Sequence, residues 1–578
     1  MISNKFLNRI ITLILTGIAL TTGTQPGYAQ GKADNGKKLS AYISAAVARG
    51  YAASVLMWEV DAESGKRMSA QFSGVVVNSK GTVLSAAHVV MPDKTYKVMF
   101  PDGRECTAKG LGRISIPPTF MLPDAAMLKI VDQGKWPYAE LGWSSSLTVG
   151  MPCISIAYPE SLEQRKPNVR FGHVSSLKNT HGFVQSTCIM EPGDSGGPLF
   201  DLLGRVIGIH SGIEIPEGIN YEIPINTYRK YWKALSRSEN YTALPADTDA
   251  ITIDPVETSL KIIPANSSCD FKPVNQSLKS SCVTIKSELN GGGDQKVYGT
   301  LFLQDGLSVK PQFTNNTVLL SKSSMVGNSP VVFLPNGETI KTTVIARDPS
   351  NDLVLLLPAR KIAAGISLKS IKADSISIDD LGRLLVSPRP DSVSRFSVLG
   401  SLPVNLPKVS SYGYIGAVTA LKGDKLTFTF IQLNSAAEAG GLKIGDQILS
   451  VDGKKVEDPL DFIKALQKYR AGDTTIVTVL QNGEKYTRSI VLKYPPQRVI
   501  NHPAELFAGG KSQRRDGFNQ VLIHDAILKP EESGGPVFDD KGQFIGINIA
   551  RISRTSTVIT PVKTIKRFMV TCLLEGSK

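Results

Sequence analysis

The chain has 578 residues, a net charge of +14, 42% hydrophobic residues and 20% charged residues. That length exceeds what one hydrophobic core organises and calls for three or more domains. The composition is that of ordinary globular protein, which excludes a disordered, fibrous or collagen-like chain. The basic residues are scattered, with only short clusters such as Lys511 to Arg515, so the charge points to no nucleic-acid module.

In chain order, Lys5 and Arg9 precede the apolar run Ile10–Leu20, and Gly27-Tyr28-Ala29 offers small residues at a cleavage site before Gln30. Residues 1–29 therefore read as a secretory signal peptide. The apolar run falls short of the ~20 residues of a membrane span, and no later stretch offers a span. Loss of Lys5 and Arg9 with the leader lowers the net charge from +14 to +12. The expected destination is the bacterial periplasm or the extracellular space. Six cysteines (Cys106, Cys153, Cys188, Cys269, Cys282 and Cys572) permit disulfides there, with Cys269 and Cys282 the most local pair, but are too few for a disulfide framework.

From residue 41, short runs of Val, Ile and Thr separated by turn residues predict a mainly β chain of antiparallel barrels or sandwiches. IPINTYRKYWKAL at 223–235 predicts a terminal helix, and the polar stretch 236–275 reads as a linker. The second half repeats the first. FPDGRECTAKGLGRI at 100–114 answers to FLPNGETIKTTVIARD at 333–348, LPDAAMLKI at 122–130 to SNDLVLLLP at 350–358, and SGGPLFDLLGRVIGIHSGI at 195–213 to SGGPVFDDKGQFIGINIARI at 533–552. Asp124 lies 71 positions before Ser195, whereas Asp352 lies 181 before Ser533. The excess is one small domain. Within it SSYGYIGAV at 410–418, NSAAEAGGLKIGDQILSVDGKKV at 434–456 and the helical DPLDFIKALQKY at 458–469 resemble a PDZ domain over 407–494, inserted into the second repeat (276–406 and 495–572).

A serine hydroxyl needs a base within hydrogen-bond reach, and the base needs a group that fixes its tautomer. LSAAHVV places His88 after a hydrophobic strand, PDAAMLKI places Asp124 before another, and GDSGGPL places Ser195 in a glycine-rich turn. The amides of Gly193 and Ser195 can converge there on a developing oxyanion. Any one of these residues alone has a structural explanation, but their order and local contexts together point to nucleophilic hydrolysis.

The first repeat (41–235) resembles the chymotrypsin-like fold, and within it the HtrA/Deg-like branch of trypsin-like serine proteases. LGWSSSLTVGMPCISIAYPES at 141–161 and GINYEIPIN at 218–226 carry the finer likeness. The resemblance implies two six-stranded barrels with the site in the cleft between them, His88 as general base, Asp124 as orienting carboxylate, Ser195 as nucleophile, and no cofactor or metal. Two departures stand out. Asp194 fills a position where the branch usually has Asn, and no trimerising N-terminal segment is recognisable, which leaves the oligomeric state open. Ile189 lies where trypsin-like enzymes place the floor of the primary pocket, and the strand His210-Ser211-Gly212-Ile213 would line a wall. With no acid at the floor, a small or aliphatic residue before the scissile bond is expected.

In the second repeat, VLLSKSSMV puts Ser324 where the base belongs, and Glu531 replaces the glycine of the oxyanion turn. Asp352 and Ser533 remain, His524 aligns with Ser186, and His502 lies just past the inserted domain. The repeat reads as a pseudoprotease, with a Ser-Lys arrangement through Lys322 as the alternative. The loop Tyr414-Ile415-Gly416-Ala417 matches the PDZ segment that captures peptide C-termini, the alternative being a domain that only docks the two units. The expected partners are unfolded or misfolded protein substrates and peptide C-termini. The leading function is an exported serine endopeptidase of misfolded or envelope proteins, regulated by the PDZ and pseudoprotease units. The alternatives are a peptide-binding adaptor or chaperone with vestigial catalysis, and autoprocessing alone.

Overall fold

A computed structural model of the chain describes residues 27–117, 122–162, 164–256, 278–288, 293–304, 317–372, 375–496 and 501–573, with side chains of the first helix from Leu39 onward. Most of the expected leader and Cys269, hence the expected Cys269–Cys282 pair, lie outside these residues. The fold is mainly β, built of closed barrels and one smaller α+β domain. Among the described residues, no helix is long and apolar enough to cross a membrane.

A helix the sequence reading did not anticipate comes first, α1 (Gly27–Gly50). Its Leu39, Ile43, Ala46 and Val47 are buried, a spacing that lines one helical face. Phe200 packs under Gly50, while Gly382 of the second repeat packs against Ile43 and Val47. The helix thus lies against both repeats.

The first barrel comprises β1 (Ser54–Val60), β2 (Phe72–Val76), β3 (Thr82–Ala86), β4 (Thr95–Met99), β5 (Glu105–Ile114) and β6 (Ala125–Ile130). It closes because β5 pairs with both β4 and β6. The second comprises β7 (Pro152–Ala157), β8 (Asn168–Ser176), β9 (Gln185–Ser186), β10 (Pro198–Asp201), β11 (Val206–Ile213) and β12 (Asn220–Pro224). A Val184–Glu222 bridge closes it. Two short helices follow, α2 (Ile225–Lys230) and α3 (Trp232–Leu235).

The expected linker behaves differently in its first half. Asn240–Tyr241 adds a parallel strand to β5. Asp254 is buried and accepts from both terminal nitrogens of Arg205, at 2.9 and 3.1 Å. A buried arginine requires such a partner, so residues 236–256 are bound to the first unit rather than spanning freely from it.

The second repeat reproduces the two barrels. One runs from Cys282–Glu288 to Leu353–Pro358, with Ile366–Ser367 added at its edge, and the other joins strands between Leu384 and Leu406 to strands between Phe518 and Pro561. The PDZ-like domain leaves after Val404–Leu406 and returns at Phe518–His524. These two strands pair with each other, Val404 opposite Val521 and Leu406 opposite Phe518. The ladder therefore closes across the insertion, which is how a whole domain is accommodated without breaking the barrel. Arg470 of the inserted domain donates to the carbonyl of Gly517 at 3.1 Å, and Asp516 accepts from Ser410 and Ser411.

The two repeats share a core. Leu381, Leu384 and Val398 of the second repeat belong to the main hydrophobic cluster of the first, and Leu162 of the first belongs to that of the second. Val169 N–H donates to Gly400 O at 2.9 Å, and Asp525 accepts from the amides of Phe171 and Val398, each at 2.8 Å.

Candidate active site

His88 sits on a single 3-10 turn directly after β3, and Asp124 directly precedes β6, the neighbouring strand of that barrel. The carboxylate of Asp124 is saturated with donors. The backbone N–H of His88 reaches Oδ1 at 2.9 Å; its ring Nδ1 lies 2.7 Å from Oδ2, and the hydroxyl of Ser211 also reaches Oδ2 at 2.7 Å. A carboxylate only accepts, so the Nδ1 facing it carries the proton and Nε2 is left with its lone pair. Among the described residues Nε2 has no hydrogen-bond partner, and no hydrogen bond joins it to Ser195 Oγ. Such bonds are often long in unliganded enzymes and tighten when substrate arrives.

The turn that carries Ser195 is held from several sides. Gly193 adopts φ of +95°, and a Cβ there would lie 2.4 Å from Tyr158 O, so no other residue fits. Ser73 on β2 donates its hydroxyl to Gly193 O at 2.8 Å and its N–H to Ser195 O at 2.9 Å. Among the described residues, the amides of Gly193 and Ser195 donate to no other group, the condition an oxyanion site requires. Asp194 and Arg170 on β8 form a buried two-pronged ion pair, Nη1 to Oδ2 at 2.7 Å and Nη2 to Oδ1 at 2.5 Å, each side chain 1% exposed. Arg170 also donates to Ile189 O at 2.8 Å, so one guanidinium fixes both the turn and the expected pocket floor. Nothing in the sequence reading named Arg170 or Ser73, although the unusual Asp194 was a signal that a cation should be sought.

The expected pocket wall divides by side chain. Ile189 is buried at 9% exposure and Gly212 lies on β11, but the hydroxyl of Ser211 serves Asp124. His210 does not line the wall at all. It is fully buried, with Nδ1 2.6 Å from Glu222 Oε2 and Nε2 2.7 Å from Ser155 Oγ. Alternation along β11 sends its side chain into the barrel.

The second repeat copies the scaffold with other residues around its aspartate and serine. Ser323 N–H donates to Asp352 O at 2.7 Å, as Ala87 N–H does to Asp124 O at 3.0 Å. Ser324 places its N–H on Asp352 Oδ1 at 2.7 Å and its hydroxyl on Oδ2 at 2.8 Å, occupying both bonds that His88 makes. Lys322 reaches Asp352 Oδ2 at 2.9 Å and the carbonyls of Ile549 and Arg514 at 2.7 and 2.9 Å. Its three donors are thereby spent, and it makes no contact with Ser533. Burial lowers the Lys322 ammonium; at Asp352 burial opposes the charge, but Lys322 and Arg514 outweigh it and hold the carboxyl below its usual range. Ser533 is 3% exposed, and its N–H is consumed by Pro530 O at 3.1 Å within the turn that contains Glu531. His524 is bonded to Ser397 at 2.9 Å and held neutral by burial down to about 3. His502 caps the Pro503–Glu505 turn.

In the inserted domain, the strand Ala417–Lys422 and the helix Pro459–Gln467 bound a groove of about 820 Å³. Tyr414, Ile415 and Ala417 line its loop end, and Val418, Phe462 and Ile463 its sides. Gly416 holds φ of +74° against Ser435.

A trypsin-like peptidase domain model matches residues 72–209 and a PDZ domain model matches 413–492. The DegP-like periplasmic serine endoprotease of Bartonella henselae is 26% identical over 408 residues, covering 68% of this chain and 70% of that one. The serine protease HhoA of Synechocystis is 34% identical over 173 residues, covering 28% and 42%. Serine protease HTRA1 of Xenopus tropicalis is 33% identical over 189 residues, covering 32% and 37%.

Proposed function

We propose that this chain, an HtrA-type serine protease with a trypsin-like peptidase domain and a PDZ domain, cuts misfolded or envelope proteins after export, using His88 as base, Asp124 as orienting carboxylate and Ser195 as nucleophile. The supporting observation is the triple grip on Asp124, whose partners His88 N, His88 Nδ1 and Ser211 Oγ leave His88 Nε2 free to take a proton. In this reading Nε2 removes the Ser195 proton as Oγ attacks the scissile carbonyl. The negative charge that forms on the carbonyl oxygen is met by the amides of Gly193 and Ser195. The imidazolium, steadied by Asp124, then protonates the departing amine. Water repeats the sequence to release the acyl group. Ile189 at the pocket floor favours a small or aliphatic side chain before the cut bond.

The second repeat, in the same reading, is a pseudoprotease: Ser324 and Lys322 satisfy Asp352 from within, and among the described residues no base reaches the buried Ser533. The PDZ groove takes the free C-terminus of an unfolded chain, adding it as a strand beside Ala417–Lys422 with its carboxylate at the Tyr414–Ala417 loop. Casein degradation by the purified protein tests the catalytic assignment. Ser195→Ala abolishes it; degradation that survives the change removes the reading. Peptide binding without any wild-type hydrolysis would instead favour an adaptor.

A further inference from the structure

Two segments of the first repeat, the turn that carries Ser195 and the β11–β12 hairpin, are fastened by the far end of the chain. The first is the nucleophile turn, which begins at Glu191. This residue is buried at 6% exposure, and its backbone N–H donates to Asp194 Oδ2 at 2.9 Å. One carboxyl oxygen takes the hydroxyl of Ser161. The other takes the hydroxyl of Thr555 at 3.0 Å. The second segment is the hairpin between β11 and β12. There Glu217 receives Arg551 Nη2 on its carboxylate at 2.5 Å and Arg554 Nη2 on its carbonyl at 2.8 Å.

Arg551, Arg554 and Thr555 lie where the strand Phe544–Arg551 turns into Thr557–Pro561. In the second repeat that turn is the counterpart of the β11–β12 hairpin it grips. A hairpin tip rich in Ser, Arg and Thr belongs in water, yet Ser553, Arg554, Thr555 and Ser556 are each 3% exposed or less. Their polar groups have been taken out of solvent to meet Glu191 and Glu217, which makes the tip a built contact. Buried donors and acceptors matched this way hold one geometry, because any shift leaves a group unsatisfied.

We infer that Thr555, with Arg551 and Arg554, positions the active site of the first repeat, so that the degenerate repeat is a fixed part of the hydrolytic machinery. The inference rests on the assignment of Ser195 as nucleophile. Thr555 holds Glu191, and through Glu191 N–H and Asp194 it holds the amides that receive the oxyanion. It touches no substrate and acts only through the turn.

The test uses the full-length protein, a chromogenic peptide ester and a fluorophosphonate probe that labels an activated serine. Thr555→Val keeps the shape and removes the hydroxyl. It should lower kcat about tenfold with KM within about twofold, and slow labelling by the same factor, a modest share of what a displaced oxyanion donor costs. Thr555→Ser should restore both. Unchanged kcat and labelling in Thr555→Val overturn the inference, as does a loss that Thr555→Ser fails to restore, which would mark packing alone. If Thr555→Val does not fold, judged by its melting transition, Glu191→Gln carries the same expectation and the same refutation. Labelling that is absent from the wild type, or persists in Ser195→Ala, overturns the assignment of Ser195 itself, and the inference with it.

Discussion

Replacing Arg170 by Met separates a positioning role from a stabilising one at the nucleophile turn. The guanidinium makes two bonds to Asp194 and one to Ile189 O, all in a site where both charged side chains are 1% exposed. Met fills the volume and leaves the Asp194 carboxylate with the Glu191 amide as its remaining close donor. Removing one partner of a buried pair typically costs about 3–5 kcal/mol, because the other charge stays desolvated and uncompensated. The carboxylate relieves that cost by turning toward water, which drags Gly193 and Ser195 with it. Misplacing an oxyanion donor costs about 100-fold or more in rate. Arg170→Met is therefore expected to lower the melting temperature of the first unit and to cut kcat for a peptide ester about 100-fold, while Lys at the same position, one point charge for a two-pronged fork, recovers only part of either. Differential scanning fluorimetry and ester kinetics on the same preparations measure both. A variant that melts early yet turns over at the wild-type rate refutes the positioning argument and leaves the pair a stabilising element only.

Three further outcomes follow from the same geometry. Ser195→Ala and His88→Ala should each remove ester hydrolysis by several orders of magnitude, whereas Ser533→Ala leaves it unchanged; fluorophosphonate labelling of Ser533 in the wild type would contradict this. Asp525 lies between the repeats with its carboxyl pushed up by burial to about 6. A raised carboxyl pKa means the docked form holds the proton more tightly than the separated one, so the contact is firmest below about 4 and weakens as pH rises through about 6. Protection of the Phe171 and Val398 amides, after correction for intrinsic exchange, should fall over that window in the wild type and stay level in Asp525→Asn. In the PDZ groove, Ile463→Asp should weaken binding of a peptide with a free hydrophobic C-terminus about tenfold or more, read by fluorescence anisotropy, without altering hydrolysis of a short ester; equal binding would move the peptide site elsewhere.

The mainly β class and the PDZ-like domain were legible in the sequence, since each is written in local pattern: β-rich runs and a GLKIGDQIL run. What was not legible depends on contacts between distant segments. Arg170 lies 24 positions from Asp194, in a strand whose pattern NVRFGHVSS gives no sign that its arginine points inward. His210 was expected on a pocket wall because it neighbours Ser211, but β-strand alternation sends adjacent side chains to opposite faces, and His210 pairs with Glu222 inside the barrel. The stretch 236–256 has the composition of a linker but is pinned by the Asn240–Tyr241 strand on β5 and by the buried pair of Arg205 with Asp254. The helix Gly27–Gly50 was hidden because residues up to 29 read as a leader and the rest carries only a modest apolar stripe.

In the pseudoprotease reading proposed above, the second repeat is free to pair groups that an active site must leave open. An active site needs an open cleft and groups left unpaired, as His88 Nε2 and the amides of Gly193 and Ser195 are. Lys322 entered the space beside Asp352, where it meets Ile549 O while Ser211 occupies the equivalent place in the first repeat. Arg514 completed the charge pairing with Asp352 at 3.5 Å and reached Pro349 O at 2.6 Å. The inserted domain leans on the same corner, since Arg470 also donates to Pro349 O. The former cleft is thus where the PDZ-like domain is anchored, while the former specificity hairpin, with Arg551 and Thr555, faces Glu191 and Glu217 of the first repeat. The second repeat therefore meets the inserted domain at Pro349 and the first repeat at Glu191, through two separate sets of buried polar contacts.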